Sequence, residues 1–205
     1  MRTWAPAYIT VMDLAAWLSI PYPADEAAQW IALESCIAAA SRAIDRATGR
    51  QFGKVAEPET RWYKAQFFKD RWVIDIDDLM TTDDLAIEIN DVTLDPADYA
   101  LTPRNAVQQG KPWTSLEILP RSPVKPTGEV CITAWWGWAA VPRPVELATM
   151  IQASRFYERR DNPAGPLTVK QIDDVRYGWA PTASTELDAD VAASIAGYRK
   201  LWFAV

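Results

Sequence analysis

The sequence of 205 residues is long enough for one well-buried domain or two small ones, and its 49% hydrophobic and 23% charged residues exclude wholesale disorder. A net charge of −6, with a pI near 4.8, argues against tight sequence-independent binding of nucleic acid. The absence of histidine excludes the catalytic triads and zinc sites that depend on imidazole.

The N-terminal region, residues 8–49, predicts two helices. Thr10 and Asp13 have the spacing of a capping box, in which two free backbone N–H groups are satisfied reciprocally. A longer helix follows from residue 25 to residue 47, and Gly49 suits the left-handed position just beyond its end. The residues expected on the packed face of this helix are Ala27, Trp30, Ile31, Leu33, Ile37, Ala40, Ile44 and Ala47.

The N-terminus carries no clear signal for a membrane or a secretory route. No apolar run approaches the roughly 20 residues that a transmembrane helix needs. Asp13 interrupts the first apolar run, and no small-residue cleavage site follows it, so we interpret this region as mature protein. We therefore expect synthesis in the cytoplasm of the producing cell.

Residues 51–140 predict short strands in an antiparallel sheet or sandwich, because β-branched and aromatic residues alternate between turn residues. One strand is expected to place Trp72, Ile74 and Ile76 on its packed face. Five aspartates lie in this strand and in the turn after it, at positions 75, 77, 78, 83 and 84. Clustered carboxylates can bind Ca²⁺ or Mg²⁺ or act as an acid/base pair. The glycine and glutamate of an EF-hand loop are missing, so we interpret the cluster as a solvated acidic turn.

The rest of the chain predicts a third helix over 142–160, a long loop over 161–184 and a C-terminal helix over 185–203. Thr185 and Asp188 repeat the capping-box spacing. We expect a single domain over 1–205, of class α+β. It would be mostly a helical bundle of three to four helices with a small inserted antiparallel β region.

Eleven tryptophans are the most unusual feature of the composition. Three of them, Trp135, Trp136 and Trp138, stand at the end of a predicted strand. Flat aromatic faces can stack on sugar rings, but these tryptophans are spread over most segments, including three helical ones. We interpret them as core and protein-interface residues, because Trp buries a large apolar area while satisfying its single N–H. Trp135, Trp136 and Trp138 would lock the sheet onto the helices or onto a neighbouring subunit.

The third predicted helix ends in Arg155, Arg159 and Arg160. Cations in a last helical turn commonly interact with exposed carbonyls, and they could also contact phosphate or acidic residues of a neighbouring subunit. Cys36 and Cys131 are too few for a four-cysteine zinc site and are interpreted as small core residues. No catalytic arrangement emerges, so we expect neither an enzyme, nor a cofactor, nor a metal site.

Several phrases, taken in order, resemble one family. "YITVMDLAAWLSIP" is similar to its opening helix, and "IAAASRAIDRATGRQF" to its alanine-rich second helix. "ETRWY", "LDPADYALTP" and "KPWTSLEIL" resemble its sheet, and "VCITAWWGWAAVPRPVELATMIQASRFYERRDNPAG" its last strand and third helix. The family is that of the head–tail connector proteins of tailed bacteriophages, also called adaptor or head-completion proteins, and the likeness covers about residues 8 to 165.

The resemblance implies a structural role in the virion, at the interface between head and tail, after assembly in the host bacterial cytoplasm. Copies would form a twelve-fold ring beneath the portal protein, extend the DNA channel and meet a stopper or tail-completion protein. DNA would pass without specific binding, since an acidic ring repels phosphates. The C-terminal helix would reach the portal through Tyr198, Leu201, Trp202 and Phe203, and the arginine turn would serve an interface.

Two other interpretations remain open from the sequence. A carbohydrate- or surface-binding module of a phage tail or bacterial wall protein would need an exposed aromatic strip on the sheet. A metal-dependent hydrolase would use the carboxylates of residues 75–84.

Overall fold

A computed structural model describes residues 5–21, 27–161 and 187–200. The chain divides into a helical unit, formed by Met1–Gln51 with Val141–Val205, and a β unit, formed by Phe52–Ala140. The β unit therefore interrupts the helical unit in sequence. That the two behave as a single domain stays a prediction.

The described part of the helical unit contains four α-helices and a 3₁₀ turn. Thr10 caps the first helix, and its capping box with Asp13 is present as predicted. Gly49 follows the second helix with a φ of 66°, as expected of the residue that ends it. Among the described helices, none is long and apolar enough to cross a membrane. The elements are α1 (Val11–Trp17), α2 (Ala27–Thr48), α3 (Arg143–Asp161), α4 (Ala189–Ser194) and the 3₁₀ turn Ala196–Tyr198.

The core of the helical unit lies between α1, α2 and α3. The buried residues are Ile9, Leu14, Ala15, Leu33, Ile37, Ala40 and Ala153. Alanines at the contact allow the backbones of α2 and α3 to approach closely. Ile31 was expected on the packed face of α2, but its side chain is 62% exposed. Ile31 and Leu33 are two positions apart, about 200° around a helix, and they cannot both face the same core.

The β unit contains two four-stranded antiparallel sheets. Sheet 1 has the strand order β1-β8-β4-β5 and sheet 2 the order β2-β3-β7-β6. Burial alternates along β1 and β8, as expected where a sheet packs on one face and is solvated on the other. The strands are β1 (Glu59–Lys64), β2 (Gln66–Phe68), β3 (Arg71–Leu79), β4 (Ala86–Ile89), β5 (Val92–Thr93), β6 (Tyr99–Thr102), β7 (Trp113–Ile118) and β8 (Glu129–Ala134).

The predicted fold class is therefore wrong. Two sheets of four strands each take the place of the small β region, so the chain is not mostly a helical bundle, although four α-helices are present among the described residues. The strands were undercounted because β2 and β5 have only three and two residues, too few to show a period. Their existence depends on partners brought close by the two-residue turns at Lys69–Asp70 and Asn90–Asp91, where all four residues have positive φ.

The predicted C-terminal helix over 185–203 is also corrected. The α-helix runs only from Ala189 to Ser194, and a 3₁₀ turn follows it. Asp188 stands at the N-cap, but its side chain makes no capping hydrogen bond. Thr185 and most of the predicted 161–184 loop lie outside the described residues.

In addition to its two sheets, the β unit contains a close backbone crossing between Gly53 and Gly137. The register between β3 and β7 shifts between Asp75 and Leu79. Leu79 pairs with Trp113 of β7 and also, through an isolated bridge, with Trp136 in the segment that follows β8. Gly137 N–H donates to the Asp78 carbonyl at 2.6 Å, and Trp138 N–H donates to the Gly53 carbonyl at 2.8 Å. Gly137 has a φ of 109°, and a Cβ built there would lie 1.9 Å from the Gly53 oxygen.

Replacing Gly137 by alanine should destabilise the β unit by more than about 2 kcal/mol, because the new Cβ clashes with backbone and the φ is unfavourable for any L side chain. Urea unfolding measures the difference. Gly128→Ala is the matched control, since a Cβ there meets nothing within 4 Å, and its effect should stay within about 0.5 kcal/mol. Equal effects of the two substitutions would contradict the crossing.

Candidate functional site

Trp136 and Trp138 lie in the interior of the β unit. The Trp136 side chain is 0% exposed, its Nε1–H donates to the Glu59 carbonyl at 2.7 Å, and the Arg61 guanidinium lies 5.0 Å from its ring centre. The Trp138 Nε1–H donates to the Asp78 carboxylate at 2.8 Å, and the ring contacts Phe52. Both rings therefore pack inside their own unit, and we no longer assign them to a surface that meets a neighbouring subunit.

Trp135 differs from the other two tryptophans because it is only half-buried. Its Nε1–H donates to the Asp84 carboxylate at 2.9 Å, and the Lys54 ammonium lies 4.1 Å from its ring centre. The predicted interface role of Trp135 stays a prediction.

The aspartates at positions 75–84 are used largely as hydrogen-bond acceptors within the β unit. Asp77 accepts from Arg61 at 2.7 Å and from the Tyr63 hydroxyl at 2.9 Å, which links β3 to β1. Burial, together with the charge of Asp77, raises the pKa of Tyr63, so the phenol keeps the proton that it donates. Asp83 accepts from Thr81. Among the described residues, no group of three or more potential ligands is placed to hold a metal ion.

Arg155 and Arg159 form a cluster with Asp188 and Asp190, which we call the Arg–Asp cluster. Arg155 donates to Asp188 at 2.9 Å and makes a two-pronged pair with Asp190 at 2.7 and 2.8 Å. Arg159 donates to both carboxylate oxygens of Asp188 at 2.8 Å. The cluster attaches α4 to α3 within one chain.

The ion pairs of the Arg–Asp cluster shift the pKa values of two of its members. The hydrogen bond from Arg155 lowers the pKa of Asp190 from 3.8 to about 2, and the bonds to Asp190 and Asp188 raise the pKa of Arg155. Arg160 stays outside the cluster, with its guanidinium 4.4 Å from the Tyr157 ring centre. Sequence reasoning grouped the three arginines, but Arg155 and Arg159 lie one turn apart and share Asp188, whereas Arg160 is rotated by about 100° from Arg159 and lies over Tyr157.

The segment that follows the Arg–Asp cluster is anchored to α2 and α3. Val191 and Ile195 are 2% and 1% exposed. The Tyr198 carbonyl accepts from Arg50 Nε at 2.8 Å, and the Lys200 N–H donates to the Thr48 carbonyl at 2.7 Å. Of the predicted portal-contacting residues, Tyr198 lies in this anchored segment, and Leu201, Trp202 and Phe203 lie outside the described residues.

Sequence reasoning missed most of the exposed apolar side chains. In the described part of the chain, the large ones are Met12, Trp17, Ile31, Trp62, Phe67, Phe68, Val92 and Leu147, each between 46% and 64% exposed. The alternation on β1 could have identified Trp62, because Arg61 and Tyr63 occupy the other face. Phe67 and Phe68 carry no such signal, since adjacent residues in a strand point to opposite faces and both are exposed.

The comparisons with known proteins support the fold. No protein-family model matches the chain, and the search of curated proteins found no match. Among solved structures, the chain is similar to one in the neck of an empty GTA particle computed with C6 symmetry. The TM-score is 0.57 at 21% identity, and the likeness covers 99% of this chain and 95% of that one. The shared fold therefore includes both the helical unit and the β unit.

Acid should weaken the attachment of α4 before it affects the other helices. The folded pKa of Asp190, about 2, lies below its ordinary value of 3.8, so the pair with Arg155 stabilises the fold above about pH 4 and is lost as pH falls towards 2. The protection of the α4 amides from hydrogen exchange, relative to their intrinsic exchange rates at each pH, should fall across this window. Asp190→Asn should lower this protection already at neutral pH and remove this pH dependence.

Asp83→Asn is the control for this titration, because Asp83 pairs with Thr81 in the β unit. It should leave the exchange of α4 unchanged. If the α4 amides of Asp190→Asn exchanged as slowly as those of the unsubstituted protein at neutral pH, the pair between Arg155 and Asp190 would not help to hold α4.

Trp136 and Trp62 should respond differently to substitution. Trp136→Ala leaves a cavity and should cost about 3–5 kcal/mol of the free energy of unfolding, measured in urea. Trp62→Ala removes a side chain that is 64% exposed and should cost less than about 0.5 kcal/mol. A Trp62 variant as unstable as the Trp136 variant would show that the β1 surface is buried in solution.

Proposed function

We propose that this chain is a structural head–tail connector subunit, an adaptor, of a tailed phage or phage-like particle. The observation that carries the proposal is the similarity to a chain from the neck of a GTA particle, a phage-like gene transfer agent, over nearly the whole length of both chains. The match spans the β unit as well as the helical unit, so a common helical motif does not account for it.

The exposed apolar side chains fit a subunit with several protein contacts. Four of them, Met12, Trp17, Ile31 and Leu147, lie in the helical unit, and the other four lie in the β unit. A ring subunit that joins two further proteins has lateral and axial surfaces to cover, and exposed aromatic residues are common anchors at such contacts. The chain thus offers apolar contact surface on both of its units.

The charge of the chain fits a channel that DNA crosses. Each copy contributes a net charge of −6, and a ring multiplies that charge around its axis. A surface of this sign repels phosphate and lets DNA move instead of binding it. We propose twelve copies per ring, as in the family that the sequence resembles. A neck computed with C6 symmetry is compatible with six copies or with six pairs.

We propose that the ring lies in the virion between the portal protein and a stopper or tail-completion protein, after assembly in the bacterial cytoplasm. The anchored position of Tyr198 and Lys200 refines the proposed contact with the portal. Residues up to 200 are engaged with α2 and α3, so the contact is assigned to the residues that follow, Leu201, Trp202 and Phe203.

The alternative of a carbohydrate-binding module needs aromatic rings aligned on one sheet. In the described residues of the β unit, Trp62 is the one tryptophan that is mostly exposed, and it lies on sheet 1. Phe67 and Phe68 lie on sheet 2 and flank each other on opposite faces of one strand. These positions do not favour a sugar-stacking strip.

Mass photometry of the protein mixed with the portal ring of the same particle tests the proposal. We expect a discrete mass increase that corresponds to equal numbers of the two chains. A variant that ends at Lys200 should fold normally, because the anchoring contacts of Tyr198 and Lys200 are kept, but it should fail to bind. A monomer that stays unbound at every portal concentration would contradict the adaptor role.

A further inference from the structure

A closed ring of more than two identical subunits needs two different surfaces on each subunit that fit each other. This inference rests on the proposed function, because it starts from such a ring. The described residues contain a protruding apolar surface on the β unit and a concave apolar surface on the helical unit that carries the opposite charge.

The protruding surface is the hairpin tip, formed by residues 67–72 of β2, β3 and their turn. Phe67 and Phe68 are 60% and 46% exposed. Phe67 packs against Trp72 across the strands, with ring centres 5.0 Å apart, so its orientation is fixed before any partner binds. The Lys69 ammonium lies 5.0 Å from the Phe68 ring centre. The tip therefore presents two aromatic rings beside a cation.

The turn itself holds these side chains in place. Lys69 and Asp70 have φ values of 48° and 62°, a left-handed pair that usually contains glycine or asparagine in a two-residue hairpin turn. β2 is an edge strand of sheet 2, and all three of its residues are exposed. The tip is thus a pre-organised surface, and pre-organisation lowers the entropy cost of binding.

The concave surface is the helix groove, a cavity of about 570 Å³ on the helical unit, between the segment leading into α1 and the middle of α2. Ile9 and Ile37 are buried and form its floor, and Val11 and Ala38 contribute further apolar lining. A cavity of this size is in the range that accommodates a ligand as large as two phenyl rings.

The helix groove is lined by three carboxylates, Asp13, Glu34 and Glu146. Hydrogen bonds from Thr10 lower the pKa of Asp13, so it is charged at neutral pH. Glu146 is paired with Arg143, whereas Glu34 is exposed and makes no ion pair with any described residue. The groove therefore combines an apolar floor with net negative charge, and Glu34 is its available anion.

We propose that the hairpin tip of one copy of this chain docks in the helix groove of a second copy. Because Phe67 and Phe68 lie on opposite faces of β2, Phe67 would contact the segment leading into α1 and Phe68 would contact α2, the two walls of the groove. Lys69, which lies beside Phe68, would pair with Glu34 on α2. The tip also carries Asp70, which repels the groove, while Arg71 is already paired with Glu117. In the docked orientation Asp70 must therefore face solvent. The side of the turn that carries Lys69 then faces Glu34.

Disulfide trapping between two single-cysteine variants tests this contact. In a background in which Cys36 and Cys131 are replaced by alanine, one variant carries Phe68→Cys and the other Ala38→Cys. Both positions are exposed, so the substitutions should leave the fold intact. Oxidation of the mixture should give a covalent dimer in at least about tenfold higher yield than either variant alone, because the two surfaces are different.

Ala193→Cys is the matched control for the groove position, since Ala193 is also an exposed alanine on a helix of the helical unit. It should give only background yield with Phe68→Cys. A dimer formed by Phe68→Cys alone would overturn the proposal in favour of tip-to-tip contact. Equal yields with Ala38→Cys and Ala193→Cys would overturn it as well.

Charge reversal tests the pairing of Lys69 with Glu34. Lys69→Glu on the tip variant should reduce the yield severalfold, and Glu34→Lys on the groove variant should restore it. A yield that neither reversal changes would overturn this pairing.

Mass photometry of the unsubstituted protein with the portal ring distinguishes a failure of the tip–groove contact from a failure of the connector role. Bound copies without the tip–groove crosslink would overturn the contact alone, and the absence of both would count against the connector role too.

Discussion

The close approach of Gly53 and Gly137 is the constraint on which the β unit depends. The Gly137 backbone passes so near to the Gly53 carbonyl that no side chain fits between them, and hydrogen bonds on both sides of the crossing join three separate stretches of chain. The crossing fixes the positions of Trp136 and Trp138 on either side of it. The Trp138 N–H then reaches Asp78, and the Trp136 ring lies under Arg61. A single backbone contact thus organises most of the polar network.

Signals confined to a few adjacent residues were read correctly from the sequence. The capping box of Thr10 and Asp13 and the left-handed Gly49 depend on local geometry alone, and both are present. The extent of the sheets could not be read in the same way. β2 and β5 owe their existence to strands that the turns bring beside them, and the register shift after Asp75 depends on the distant crossing at Gly137.

The roles of individual side chains were also hard to predict, for a different physical reason. Arginines such as Arg155 and Arg159 are common at protein interfaces. Here Asp188 and Asp190 of the same chain, at the start of α4, already pair with them. Tryptophan is a common anchor residue at interfaces, but Trp136 is fully buried in the core of the β unit. Residue type states what a side chain can bind, whereas only the fold states whether that capacity is already used. The positions still available, such as Phe67 and Phe68, became visible only once the hairpin was known.

The anchorage of residues 198–200 has a consequence for how this part of the sequence can vary. The contact at position 198 uses a backbone carbonyl, which any residue can supply, and the contact at position 200 uses a backbone N–H, which any residue except proline can supply. Side chains there can change without loss of these two hydrogen bonds. The attachment therefore tolerates a change of side chain at positions 198 and 200, and it depends instead on the Arg50 guanidinium, which donates one of the two bonds.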